Sequence, residues 1–275
     1  MSLTLTHTFK VLLILRSLHR SRSLTRHKLP RQLQSYIGST SNFATKSKHV
    51  MSENGPATSH HLRTKICVYC GAWRGTSPAH IEAARALGRA MAANNIDLEV
   101  YGGGTVGLMG EVAKTLCAIN GPQSVHGIIP EALVKHERDD AKNITQGIPE
   151  EAIFGRTTLV KDMHTRKKLM AEEVFSGGPG SGFIGLSGGF GTMEEIFETT
   201  TWNQLGIHNR GIVLLNVEGY WDGIIQWLDR AADEGFVKPG NKNILVTAET
   251  AEGAINALRE YKVSDSIYQL QWGTQ

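Results

Sequence analysis

Cysteine is scarce: three residues in 275, too few for a disulfide framework. Long apolar runs are missing too. The longest near the N-terminus, Val11–Leu15, falls far short of the roughly 20 residues a membrane-spanning helix needs. Eleven histidines include no H-E-x-x-H or comparable spacing, and no second Cys/His pair accompanies Cys67 and Cys70, so neither zinc nor another metal is expected. The C-x-x-C itself lies in ICVYCG, an apolar, β-branched run. In a strand, side chains alternate between faces, so Cys67 and Cys70 are expected on opposite sides of a sheet as packing residues. There is no internal repeat.

Acidic residues are absent from the first 50 positions, which carry nine Lys/Arg. Positions 51–275 hold the other 20 basic residues and all 26 acidic ones, so the formal charge of +3 comes from the extension. The extension is rich in Ser, Thr and Arg, with one apolar patch, FKVLLIL. It reads either as a mitochondrial transit peptide or as a disordered tail, and Met51 opens a new composition that suits a second initiator. The division expected is 1–64 as a basic extension and 65–275 as one folded domain. The location expected is cytoplasmic, or mitochondrial if residues 1–50 act in import.

From Lys65, strand-like and helix-like runs alternate. Strands are expected at KICVYCG, LEVYGGG, SVHGIIP, EAIFG (151–155), FIGLSGG, GIVLLN and near Ile244–Val246. Helices are expected at Ser77–Asn94, with Ser77 as N-cap and Pro78 behind it, and at Leu108–Asn120, Thr158–Phe175, Thr192–Leu205, Trp221–Glu234 and Ala248–Tyr261. Lys135–Pro149 reads as a polar loop. This order implies an α/β fold, a Rossmann-like doubly wound parallel sheet with helices on both faces. Ligands of such sheets bind beyond the carboxyl ends of the strands. Three of those ends are rich in glycine: CGAWRGT, YGGGTVG and SGGFGT. Bare backbone N–H groups next to a helix start suit an anion, most simply phosphate.

The second loop contains G-x-G-x-x-G as Gly102, Gly104 and Gly107. Three readings stand side by side: a phosphate or ribose cradle, a dinucleotide site, and glycines used only for packing. Against the dinucleotide, the loop follows the second strand, and the next strand ends in Ile128-Ile129-Pro130 with no acidic residue for a ribose diol. KDMHTRKKLM sets Asp162, His164, Arg166, Lys167 and Lys168 on one helix, with Leu159, Met163 and Met170 as its core stripe; a planar guanidinium at Arg166 suits phosphate or carboxylate. In SGGFGTMEE, Glu194 and Glu195 are read in the first turn of a helix, where complementarity to the helix dipole explains acidic residues without a function. A carboxylate beside a ligand can instead orient a hydroxyl, activate water or stabilise a cationic transition state.

Together these segments resemble the Lonely Guy family of cytokinin-activating phosphoribohydrolases, often labelled lysine decarboxylase-like. Residues 187–195, S-G-G-F-G-T-M-E-E, resemble its P-G-G-x-G-T-x-x-E. Met163-His164-Thr165-Arg166-Lys167 resembles its M-H-x-R-K, and YGGGTVGLMG and TWNQLGIHNRGIVLLN also fit. The likeness runs from about Lys65 to Tyr261. It implies a homodimer that hydrolyses the N-glycosidic bond of a cytokinin riboside 5′-monophosphate without metal or cofactor, and implies no nucleic-acid or membrane partner. It assigns catalysis to Arg166 and Glu195. Substrate contacts fall to Gly103, Gly104 and Thr105 on the nucleoside side, and to Lys167, Gly188, Gly189, Gly191 and Thr192 at the phosphate. A non-catalytic nucleotide-binding protein of the same fold is the alternative; a binder need not keep both Arg166 and Glu195. Nothing singles out a Schiff-base lysine for pyridoxal phosphate, so lysine decarboxylation is not expected. The chain departs from the family pattern at Ser187, where the motif has proline, and at Ala72-Trp73-Arg74 of the first loop, where small polar residues are usual.

Overall fold

The computed structural model describes residues 62–96, 98–135, 144–145 and 148–272. The expectations for residues 1–50 lie outside them. Seven parallel strands form the main sheet: β1 (Lys65–Tyr69), β2 (Leu98–Tyr101), β3 (Val125–Pro130), β6 (Arg156–Val160), β7 (Gly182–Gly185), β8 (Gly211–Leu215) and β9 (Leu245–Ala248). Two short antiparallel strands, β4 (Ile144–Thr145) and β5 (Ile148–Pro149), sit in the stretch read as a plain loop. The seven α-helices among the described residues are α1 (Pro78–Ala93), α2 (Gly107–Asn120), α3 (Glu151–Phe154), α4 (Met163–Phe175), α5 (Phe190–Gln204), α6 (Asp222–Asp233) and α7 (Ala251–Glu260).

The sheet order is β6-β3-β2-β1-β7-β8-β9. The chain builds outward from β1 to one edge, returns to β7 on the other side of β1, and builds outward again. The winding therefore reverses between β1 and β7, and the loops after these two strands diverge to open a crevice. Two apolar layers flank the sheet. One packs α1, α2 and α7 on Ile66, Val68, Ile184 and Val213; the other packs α4, α5 and α6 on Cys67, Phe183, Ile212 and Leu214. Cys67 and Cys70 fall in opposite layers, as the strand alternation requires.

Two elements differ from the sequence expectation. EAIFG is no strand: Glu151–Phe154 makes one helical turn, closed by Gly155 at φ +75°, a conformation natural to glycine. Its apolar character belongs to Phe154, a core residue. The fourth strand of the main sheet is instead β6, whose Thr157-Thr158 pair favours a pleated edge. The expected helix Thr158–Phe175 accordingly begins only at Met163. Its start is set by Asp162, whose carboxylate accepts hydrogen bonds from the Thr165 N–H (2.8 Å) and hydroxyl (2.9 Å). Leu159 and Met163, expected in the core with Met170, are each 40% exposed; only Met170 is buried. Leu159 belongs to the edge strand and Met163 opens α4 at the crevice, so neither shares the buried stripe of Met170.

Candidate active site

A cavity of about 700 Å³ occupies the crevice between the β1 and β7 loops. Its wall is built from Gly71–Thr76 after β1, Gly102 after β2, and Ser187–Gly189 with Gly191 and Thr192 after β7; Arg166, Glu194 and Glu195 also face it. The three glycine-rich loops do converge.

Arg166 reaches the cavity because Asp162 fixes the first turn of α4. Its own N–H bonds the Asp162 carbonyl at 3.2 Å, and the guanidinium then runs beneath Gly102. A Cβ at position 102 would lie 1.9 Å from Arg166 Nη2. Glycine at 102 leaves the guanidinium in place; any side chain there would take the space the arginine occupies and displace it. Arg166 Nη1 also lies 3.8 Å from Met163 Sδ.

Glu195 comes from α5. That helix starts two residues earlier than expected, at Phe190, so both glutamates lie in its second turn. Dipole complementarity fades beyond the first turn, which removes the simplest non-functional account of them. The 3.6-residue period puts Gly191, Thr192 and Glu195 on one face, and Glu195 is buried with its Oε1 4.0 Å from Arg166 Nη2. Glu194, about 100° further round the helix, carries a half-exposed carboxylate that binds Lys167.

The start of α5 is open to the cavity. Gly189 is its N-cap and no side chain caps it, so the leading N–H groups and the positive end of the helix point at the space. The glycines here do different jobs. A Cβ on Gly188 would strike Thr192 Oγ1 at 2.1 Å and Gly71 N at 2.9 Å, so protein packing demands glycine. A Cβ on Gly189 or Gly191 would meet no atom of the described residues within 4 Å. Packing among the described residues does not demand glycine at either position, and the bare backbone leaves room in the cavity.

The start of α2 differs. Leu108 N–H already bonds the Gly71 carbonyl (3.0 Å), and Gly107 packs against the Ala72–Trp73 peptide so closely that a Cβ would lie 2.3 Å from Ala72 C. The G-x-G-x-x-G segment here locks two loops together. Gly103, Gly104 and Thr105 are buried and do not line the cavity, while Gly102 does. Lys167 does not line it either. Its ammonium bonds Glu194 and Glu198; burial alone depresses a lysine, but these two bonds outweigh it and raise the Lys167 pKa.

Several lining residues escaped the sequence reading: His80, Met109, Leu133 and Tyr220. His80 had a faint signal, since it sits in the first turn of the helix following the first glycine loop. Tyr220 had none, because only the sheet brings the β8 loop beside the β7 loop. Trp73 also lines the cavity and is 85% exposed. Among the described residues no cluster of His, Cys, Asp or Glu is placed to hold a metal ion, and no helix is long and apolar enough to cross a membrane.

Fold and site together define a Rossmann-like α/β protein whose switch-point crevice holds a buried Arg–Glu pair. The family model described as "possible lysine decarboxylase" matches residues 109–258. A bifunctional cytokinin biosynthesis protein of Fusarium pseudograminearum is 50% identical over 207 residues, covering 75% of this chain but only 42% of that protein, so the chain spans less than half of that relative. A cytokinin riboside 5′-monophosphate phosphoribohydrolase of Arabidopsis thaliana is 41% identical over 198 residues, 72% of this chain and 82% of that one. Among solved structures, the molybdenum cofactor carrier protein of Chlamydomonas reinhardtii aligns with 72% of this chain and 97% of its own at 17% identity, with a TM-score of 0.47. The chain belongs to the Lonely Guy, or possible lysine decarboxylase, family.

Proposed function

We propose that this protein hydrolyses the N-glycosidic bond of an N6-substituted AMP of the cytokinin type, or AMP itself, to free base and ribose 5-phosphate. The observation that carries this reading is the Arg166–Glu195 pair, 4.0 Å apart and buried beside an uncapped helix start with open glycines. The 5′-phosphate binds at the start of α5, against Gly189, Gly191 and the Thr192 region. That sets the ribose near Glu195 and the base toward Arg166 and the first loop.

Breaking the C1′–N bond builds positive charge on C1′ and the ring oxygen. The Glu195 carboxylate, held in a largely buried site, stabilises that charge and orients a water toward C1′. The water oxygen bonds C1′, the C1′–N electron pair leaves with the base, and a proton from the water ends on the departing base. Arg166 stabilises the electron density that the base acquires. The names of the relatives support the same substrate class. The family resemblance supports action as a homodimer, which light scattering on the purified chain tests. Incubation with isopentenyladenosine monophosphate and with AMP, followed by chromatography, tests the activity: free base should appear, and none from either substrate would reject the reading.

A further inference from the structure

Ser187, the one departure from the glycine motif, is not an idle substitution in this fold. Its Oγ lies 3.0 Å from Nδ1 of His80. The two residues are 107 positions apart and both line the cavity. Ser187 is buried at the cavity wall, where its hydroxyl meets both this partner and the enclosed space. Tyr220 completes the group. Its ring stands edge-on to the His80 imidazole, with centroids 5.7 Å apart and planes at 79°, and its hydroxyl donates to the Gly188 carbonyl at 2.6 Å. Side chains from α1, the β7 loop and the β8 loop thus close on the peptide that leads into α5.

A serine hydroxyl has one proton and can accept as well as donate. When His80 Nδ1 carries a proton, it donates to Ser187 Oγ and leaves the serine O–H free to donate elsewhere. An anion in the cavity favours that arrangement, because the chain Nδ1–H to Oγ–H to anion polarises along its length. Proline at this position has no hydroxyl and cannot join such a chain.

We propose that Ser187 is an additional ligand of the substrate's 5′-phosphate in this chain, with His80 as the positioning residue that orients its hydroxyl and Tyr220 as the strut that holds the adjoining peptide. This rests on the start of α5 being the phosphate site. It adds a phosphate donor where the motif has none, and it couples the first turn of α1 to substrate affinity.

The test is a double-mutant cycle read by calorimetric binding of ribose 5-phosphate and of ribose, neither of which requires turnover. Ser187→Ala should weaken ribose 5-phosphate about tenfold, the scale of one hydrogen bond to a charged group, and leave ribose unchanged. His80→Phe should give a similar loss, and the double variant should be no weaker than Ser187→Ala alone. His80→Asn, which keeps a polar atom near the position of Nδ1, should recover most of the affinity. In turnover, KM should rise more than kcat falls. Losses that multiply in the double variant, equal losses for ribose, or unchanged affinity in both single variants would each overturn the proposal. A thermal midpoint for each variant separates these results from misfolding. Base release by the wild-type protein tests the hydrolase reading separately: a wild type that binds ribose 5-phosphate but releases no base would reject that reading and leave the cycle interpretable.

Discussion

Arg166 and Glu195 face each other across 4.0 Å, one from the first turn of α4 and the other from the second turn of α5. The two helices are consecutive in the chain but follow strands far apart in the sheet, α4 after the edge strand β6 and α5 after the central strand β7, and their functional side chains meet at the crevice. The pair lies largely out of water, where a fixed charge acts on a developing one with little screening.

Glu195→Gln keeps the shape of the side chain and removes its charge. Turnover of the nucleotide should fall by at least about a hundredfold, while its dissociation constant changes little, because the lost interaction is made in the transition state. Single-turnover kinetics together with calorimetry separate the two quantities. A parallel loss of binding would assign Glu195 to ground-state affinity instead.

Position 102 reports on Arg166 without touching it chemically. Gly102→Ala introduces a methyl at a point 1.9 Å from Arg166 Nη2. The arginine end is flexible, so the fold should persist while the guanidinium is displaced. The expected result is a kcat about tenfold lower or worse with a near-normal thermal midpoint. Arg166→Lys should be at least as damaging, since an ammonium lacks the planar fork. Wild-type kcat in Gly102→Ala would remove Arg166 from the chemistry.

Gly191 provides the cleanest test of the empty space. Gly191→Ala meets no atom of the described residues within 4 Å and lies in the first turn of a helix, so stability should hold or rise slightly. A methyl there intrudes where the phosphate sits. KM for the 5′-monophosphate should rise about tenfold, on the scale of a lost charge-assisted contact. A folded variant with unchanged KM would mean that the phosphate does not sit there.

Glu99 predicts a pH dependence of stability. It lies on β2, registered with Ile66 of β1, while its neighbour Val100 registers with His126 of β3. The residue is fully buried, and neither carboxyl oxygen has a hydrogen-bond partner among the described residues. Burial pushes its pKa up from the usual 4.5 to about 8. The folded state then holds a proton that the unfolded state releases between those values. The Glu99 contribution is fully present below pH 4.5 and is lost as pH rises through about 8. Urea unfolding across that range should show stability falling toward alkaline pH, with the slope reduced in Glu99→Gln. An unchanged slope would exclude Glu99 as its source.

The fold was legible where periodicity and punctuation agree. Ser77-Pro78 marks the start of α1, and the alternation in ICVYC sends Cys67 and Cys70 to opposite layers. It was illegible where a short apolar run has no period to read. Glu151–Phe154 is too brief to tell one helical turn from a strand, and the Thr-rich run after Gly155 is an edge strand whose half-exposed pattern lacks a clear stripe. In the site, the motif brought Arg166, Glu195, Gly188, Gly189, Gly191 and Thr192 to one place. Gly102, rather than its three successors, faces the cavity, and Arg166 takes the space its side chain would fill; that close approach left no mark on the motif. Contacts such as Ser187 with His80 and Tyr220 with Gly188 depend on sheet order and left no local pattern.

Hydrolysis at C1′ by the Arg166–Glu195 pair is what the cavity is built to perform in the proposed reaction. Its most direct test measures both products from isopentenyladenosine monophosphate, with wild-type protein and Glu195→Gln side by side. The wild type should release free base and ribose 5-phosphate in equal amounts, and the variant, while still binding the nucleotide, almost none. No base from the wild type, or undiminished release by Glu195→Gln, would contradict it.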